Sequence, residues 1–313
     1  MFINNKHFDF EKNTYIMGIL NVTPDSFSDG GEHLKIDDAL KHTERMIKEG
    51  AHIIDIGGES TRPGFIPVSI EEETDRVCSV IEKIQESFDI ALSIDTYKPA
   101  VAKAAIKAGA GMLNDICGLK LLKQIPTGKN ANSYDESMEE IVEADKSNSD
   151  CLQKTETINK TNYNENSEMA KLVADTGVAV CLMHNREKIN YVNYLEDVCS
   201  DLKGCVKIAK AYGIKNEQIC LDPGFGFAKT YEQNLELMKN IHLLDDLGYP
   251  LLIGTSRKSF IGKALDLEVD ERVEGTLATT AFCMLNSHSG IFRVHDVKEN
   301  ARVVKMLQAI KNS

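Results

Sequence analysis

Apolar residues in this chain gather in short runs at 16–20, 53–56, 90–94, 112–113, 178–183, 219–221, 251–253 and 291–294, and each run gives way to polar residues. Runs of this length suit buried strands, and most of the segments between them read as helices. At or just past the run ends stand Asn21, the stretch 57–62 (Gly-Gly-Glu-Ser-Thr-Arg), Asp95, Asn114 with Asp115, His184, Asp222, Ser256 with Arg257 and Lys258, and Arg293 with His295. Eight strands alternating with helices predict an α/β fold, a single (β/α)8 TIM barrel. Such a barrel gathers the C-terminal ends of its strands on one face, where its chemistry is done. The polar residues are therefore expected around one shared pocket.

Residues 1–14 are expected to form a polar extension, a hairpin covering the barrel floor. The helix after the first strand is predicted at about 37–49, with Ala39, Leu40, Met46 and Ile47 on one face. Ser69 followed by Glu72 reads as a capping box that opens a helix running to about 87. Pro99 suits the first turn of a helix that ends at Gly109. The pattern then breaks. Residues 119–168 are rich in Asn and acidic side chains and hold no Phe or Trp. A strand-to-helix connection is usually a few residues, so ~40 extra ones read as a polar insertion after strand four, at about 120–166. Its composition predicts partial disorder, with one short acidic helix at 137–144. The barrel resumes with a helix near 169–176, and the whole chain, 1–313, is expected to be one domain.

A formal net charge of -12 argues against a general binder of nucleic acid or anionic membrane, both of which want a broad basic surface. It leaves room for a local basic pocket. The eight cysteines show no metal-ligand spacing and read as reduced core residues. No apolar run approaches the ~18 residues of a membrane span, and no basic-then-apolar leader opens the chain. A soluble, cytoplasmic protein is expected.

Within the expected pocket, Asp95, Asn114 and Asp222 end strands three, four and six. An unpaired buried carboxylate is costly, so each needs a partner. Two carboxylates and an amide suit a flat heterocycle with a donor-rich edge, such as a 2-amino-pyrimidinone, whose ring N–H and amino group give paired hydrogen bonds to a carboxylate. A second group is basic: Arg62, Arg257, Lys258, Arg293 and His295. Four of these end strands seven and eight, where barrels commonly bind phosphate. Arg293 and His295 alternate across Val294 and so share a strand face. Asn21 offers a side-chain oxygen to a hydrated Mg2+ that leans on substrate phosphates. Two Gly- and Ser-containing loops, 25–31 and 60–64, read as lids over a second substrate.

At this point the residues match a family. Residues 17–31 (Met-Gly-Ile-Leu-Asn-Val-Thr-Pro-Asp-Ser-Phe-Ser-Asp-Gly-Gly) and 55–64 (Asp-Ile-Gly-Gly-Glu-Ser-Thr-Arg-Pro-Gly) resemble the two signatures of dihydropteroate synthase. Ser-Ile-Asp-Thr at 93–96, Asn-Asp-Ile at 114–116, Leu-Met-His at 182–184, Asp-Pro-Gly-Phe-Gly-Phe at 222–227, Gly-Thr-Ser-Arg-Lys at 254–258 and Arg-Val-His-Asp at 293–296 follow in family order.

The resemblance implies a pterin site at Asp95, Asn114, Met183, Asp222, Phe227, Gly254 and Lys258. It implies a pyrophosphate site at Asn21, Arg62, Arg257, Arg293 and His295, with Mg2+ carried on Asn21. The p-aminobenzoate site would be lined by Phe27, Thr61, Pro63, Phe227, Ser256 and Lys258. Asp95, Lys258, Arg62 and Asn21 would carry the chemistry, and a homodimer is implied. The expected reaction joins 6-hydroxymethyl-7,8-dihydropterin pyrophosphate to p-aminobenzoate through loss of pyrophosphate to a stabilised cation, then attack by the amine. The resemblance also implies a sulfonamide target. Two other readings share the pterin floor: a methyltetrahydrofolate–corrinoid methyltransferase and a non-catalytic pterin-binding paralogue. The 60–64 loop and the Arg293 and His295 pair stand against the first, and the presence of Asn21, Arg62 and Lys258 against the second. One departure is local. The chain continues Met183-His184 with Asn185, Arg186, Glu187 and Lys188, where the family commonly has Met-Gln-Gly. That leaves His184 as either a structural strand-end histidine or a contact of the phosphate site.

Overall fold

The computed structural model describes residues 1–22, 32–59, 68–120 and 167–313. An antiparallel hairpin of β1 (Phe2–Ile3) and β2 (Lys6–His7) opens the chain. The strands β3 (Tyr15–Asn21), β4 (Ile53–Gly57), β5 (Ala91–Asp95), β6 (Met112–Asp115), β7 (Ala179–Met183), β8 (Ile219–Asp222), β9 (Leu251–Ile253) and β10 (Ser289–Val294) follow. They are parallel neighbours in chain order, and β10 closes the ring between β9 and β3. The (β/α)8 barrel expected from the apolar runs is the observed fold.

Side chains alternate across a strand, and that rule places the chemistry. Met17, Ile53, Ala91, Met112, Ala179, Cys220, Leu252 and Ile291 form one buried cluster with Ile3 and Phe8 of the N-terminal segment. This is the apolar lower layer, and the hairpin covers it as expected. Their neighbours along the strands, among them Ile54, Ile56, Leu92, Ile94, Val180, Leu182 and Phe292, join the larger cluster under the helices. Two or four residues beyond the lower layer, on the same face, come Asp55, Asp95, Asn114, Asp222 and Arg293. A slip of one residue in any strand would turn its polar end outward.

The helices are α1 (Glu32–Glu49), α2 (Ile70–Ser87), α3 (Pro99–Ala108), α4 (Glu168–Thr176), α5 (Tyr194–Ala211), α6 (Tyr231–Lys239), α7 (Ser259–Leu265), α8 (Val273–Asn286) and α9 (Val297–Lys311). Helix α2 shows one half of the capping box: Ser69 Oγ accepts from the Glu72 N–H at 3.1 Å, while the Glu72 carboxylate pairs with Arg76. Helix α1 begins earlier than predicted, because Glu, Leu and Lys ahead of position 37 are good helix formers that carry no apolar period. Helix α7, wedged between β9 and α8, was not foreseen.

The ends of the insertion meet: Ser167 Oγ donates to the Leu119 carbonyl at 2.8 Å and caps α4. Residues 121–166, with the short helix expected at 137–144, lie outside the described residues. So do the expected site residues Phe27, Thr61, Arg62 and Pro63. Among the described residues no helix is long and apolar enough to cross a membrane. Their seven cysteines are unpaired.

Candidate active site

The upper layer of the barrel is polar and tightly paired. Arg293 on β10 reaches across the barrel, its Nε donating to Asp55 Oδ2 at 2.6 Å and its Nη2 to Asp95 Oδ2 at 2.7 Å. Asn114 Nδ2 also donates to Asp55 Oδ2, at 3.1 Å. Two buried carboxylates thus share one guanidinium, which leaves a surplus negative charge. Burial pushes the Asp95 carboxyl up to about 7, Arg293 opposing and the Asp55 carboxylate adding to the rise. Burial works against the Arg293 charge, but Asp55 and Asp95 hold its pKa above the ordinary arginine value. Asp55 Oδ1 and Asp95 Oδ1 are buried and have no hydrogen-bond partner among the described residues. Such an acceptor costs about 1–3 kcal/mol unless a ligand donor reaches it.

Asp222, at the end of β8, is buried with its Oδ1 accepting from the Gly224 N–H at 2.6 Å. Burial raises its pKa, against the Gly224 bond and the charges of Lys258, Lys229 and Arg293. A Cβ on Gly254 would lie 3.7 Å from Asp222 Oδ2, so Gly254 leaves that oxygen open space. The turn after β8 carries Phe227, and Lys258 Nζ sits 4.3 Å from its ring centroid, a cation–π contact. Gly226, at φ +80°, permits this approach: a Cβ there would be 3.1 Å from Lys258 Cδ. Met183, Ile116 and Cys117 form a small apolar cluster on the rim, with Tyr97 and Phe227 against it. Pterin-site residues expected from four separate strands and two loops therefore converge.

The basic residues divide. His295 Nδ1 lies 3.0 Å from Ser256 Oγ, whose oxygen also accepts from the His295 backbone N–H. Ser256, expected in the p-aminobenzoate wall, is buried against His295. Arg257 turns its fork onto Asp296, Nε to Oδ2 at 3.0 Å and Nη2 to Oδ1 at 2.5 Å. Arg293 itself lies on the carboxylates. Asn21 ends β3, its Oδ1 3.8 Å from the position of a Cβ built on Gly57; the same Cβ would be 3.8 Å from Asp95 Cβ.

His184 is 0% exposed with both ring nitrogens engaged, Nδ1 with Lys229 Nζ at 2.9 Å and Nε2 with Asp201 Oδ2 at 3.1 Å. The Asp201 carboxylate can only accept, so Nε2–H donates to it and Nδ1 accepts from Lys229. Burial and Lys229 push the imidazole down to about 3, so it stays neutral. Of the two readings left open for His184, the structural one holds. Asp115 also serves the backbone, accepting from the N–H groups of Cys117 at 2.9 Å and Leu119 at 2.7 Å. Burial pushes it up to about 6 against those bonds.

Three residues that sequence reasoning passed over belong here. Asp55 had a signal, a carboxylate inside the apolar run 53–56 and in phase with the inward face. Lys229 and Asp201 had none, since each looks like a surface charge in its own segment. A further network flanks the 60–67 stretch: Lys98 Nζ bridges Glu59 and Glu73, each at 2.7 Å, and Tyr97 donates to Glu59 at 2.7 Å.

A barrel whose upper layer offers carboxylates and an amide to a donor-rich ring, with cations on the rim, defines a class of heterocycle-binding enzymes. The model of the pterin binding enzyme family matches this chain at residues 17–146 and 144–295. A dihydropteroate synthase of Clostridium beijerinckii is 48% identical over 310 residues, covering 99% of both chains. The crystal structure of a dihydropteroate synthase from Clostridium difficile in the presence of pteroic acid superposes with a TM-score of 0.81 at 41% identity, over 98% of this chain and 100% of that one. That of Xanthomonas albilineans in complex with 7,8-dihydropteroate gives 0.75 at 33% identity, over 96% and 95%. The chain belongs to the dihydropteroate synthase family of pterin-binding enzymes.

Proposed function

We propose that this chain joins 6-hydroxymethyl-7,8-dihydropterin pyrophosphate to p-aminobenzoate, yielding 7,8-dihydropteroate and pyrophosphate in folate biosynthesis. The observation that carries the reading is the floor: Asp55, Asp95, Asn114 and Asp222 buried together, with Asp55 Oδ1 and Asp95 Oδ1 lacking donors among the described residues. A pterin edge supplies those donors in pairs. Beside it lie the small apolar cluster of Met183 and Phe227 and, at Gly254, the open space in front of Asp222 Oδ2.

Each residue then has a task. Asp222 and Asn114 orient the ring. Asp95, in the surplus negative charge it shares with Asp55, favours the cation that develops at the exocyclic methylene as pyrophosphate leaves. Arg62, His295 and Arg257, the last braced by Asp296, take the pyrophosphate, and Arg293, held on Asp55 and Asp95, adds positive charge from the floor. Lys258, lying against Phe227, marks the boundary between pterin and p-aminobenzoate, the latter walled by Phe27, Thr61, Pro63 and Ser256. The neutral aniline nitrogen attacks once oriented and loses its proton to solvent, so no protein nucleophile takes part. Among the described residues no group of His, Cys, Asp and Glu makes a closed metal cage. The single amide oxygen of Asn21 fits Mg2+, which keeps most of its waters and leans on phosphates. When bound, Mg2+ supplies charge neutralisation on the departing pyrophosphate.

The same reading makes the chain a cytoplasmic, single-domain homodimer with 120–166 as an insertion. Supporting the dimer, Phe282 and Leu285 on α8 and Met306 and Ile310 on the adjoining α9 are exposed apolar side chains.

The test is pyrophosphate release by the purified chain with the pterin pyrophosphate and Mg2+, with and without p-aminobenzoate, following dihydropteroate by mass. Release coupled to product, lost in Asp95→Ala and Lys258→Ala, is expected. Pterin binding with no turnover under any substrate combination would refute the synthase reading.

A further inference from the structure

Lys229 has no part in the scheme above, yet it is a charge seated almost out of solvent at the top of the barrel, 8% exposed. Its Nζ reaches three acceptors: His184 Nδ1 at 2.9 Å, the Gly224 carbonyl at 2.8 Å and the Phe227 carbonyl at 3.1 Å. Three acceptors match the three N–H donors of an ammonium, which a neutral amine does not have. Burial works the other way and pushes the ammonium down to about 7. The Gly224 whose carbonyl it holds is the residue whose N–H donates to Asp222 Oδ1. The Phe227 whose carbonyl it holds is the ring under Lys258.

The anchor lies behind the turn. His184 is fixed by Asp201, which Arg186 Nε holds at 2.6 Å. The Arg186 guanidinium sits over the Tyr191 ring at 4.4 Å, and Tyr191 OH donates to the Ala228 carbonyl at 2.8 Å. The segment after β7, where the chain departs from the common family continuation, thus grips the turn after β8 at Lys229 and at Ala228. Backbone freedom at Gly224, φ +68°, makes the grip necessary.

We propose that Lys229, seated on His184, is a positioning residue of the pterin subsite: it fixes the turn at Gly224 so that Asp222 presents its carboxylate to the pterin edge. Only the identity of the ligand rests on the synthase reading. Losing the ammonium releases the Gly224 and Phe227 carbonyls, so the two peptide units that meet at Gly224 reorient and the N–H that aims Asp222 shifts with them.

Steady-state kinetics with both substrates, calorimetric titration of the pterin pyrophosphate and thermal melts on the full chain test this. Lys229→Met is expected to raise KM for the pterin substrate by about tenfold or more, the size of a lost charge-assisted bond, with kcat and KM for p-aminobenzoate within about threefold. His184→Asn keeps an acceptor for Lys229 while losing Asp201. It is expected to melt earlier yet hold the pterin KM within about threefold, separating positioning from stability. Should Lys229→Met fail to fold, Lys229→Gln, uncharged and one atom shorter, is expected to raise that KM by about threefold or more. A pterin KM unchanged in the variant that folds, with only the melting point lowered, would overturn the proposal. If the parent chain turns over neither substrate, the synthase reading fails, and the titration still decides whether Lys229 sets pterin affinity.

Discussion

Asp55 and Asp95 compete for one guanidinium, and the character of the pocket follows from that shortage of positive charge. Burial holds the Asp95 carboxyl up at about 7 in the ligand-free chain. If its ionised form is the one that favours the pterin cation, kcat/KM for the pterin substrate rises with pH through that value and levels off above it. Arg293 opposes the rise, so Arg293→Met is expected to move the limb to higher pH as well as lower its plateau. A pH profile flat from 5 to 8 in the parent would remove Asp95 from the chemistry. At this scale the sequence was half legible. Asp95, Asn114 and Asp222 stood out because each ends an apolar run, whereas their partners come from far along the chain. Nothing local in the sequence ties Arg293 to Asp55 or Lys229 to His184.

Among the elements, the turn after β8 is the most demanding. A Cβ on Gly224 would sit 2.0 Å from the His184 carbonyl oxygen, and its φ of +68° lies in the left-handed region that favours glycine. Gly224→Ala is accordingly expected to lower the melting temperature by about 5 °C or more, since clash and left-handed strain together cost a few kcal/mol. A melt within a degree of the parent would mean that the turn relaxes freely. The insertion makes the opposite case. Leu119 and Ser167 are hydrogen-bonded to each other, so replacing 121–166 with a short Gly-Ser turn is expected to leave the circular dichroism spectrum of the barrel and its cooperative melt in place. Loss of the cooperative melt would show that the segment is part of the fold. Strands were read well because period-two alternation and burial agree. Strand ends were read less well: the polar residues that close β5 and β6, Asp95 and Asn114 with Asp115, carry no apolar signal yet continue the ladder. Helix α7 escaped because it is short and lies inside what reads as one connection.

Across the whole molecule, an acidic chain holds a basic rim over an acidic floor, and one helical face stays apolar. That face is expected to pair two copies: light scattering should return twice the chain mass of 34.8 kDa. Leu285→Glu with Ile310→Glu should return one. A parent chain that runs as a monomer at micromolar concentration would contradict the pairing. In the proposed function the polar upper layer of the barrel reads the edge of a pterin. Calorimetric titration of the pterin pyrophosphate into the parent chain and into Asp222→Asn tests it most directly. The expected result is one site per chain in the parent and a loss of affinity of about tenfold or more in the variant, because the amide presents a donor where the ring also donates. Equal affinity in the two proteins would contradict it.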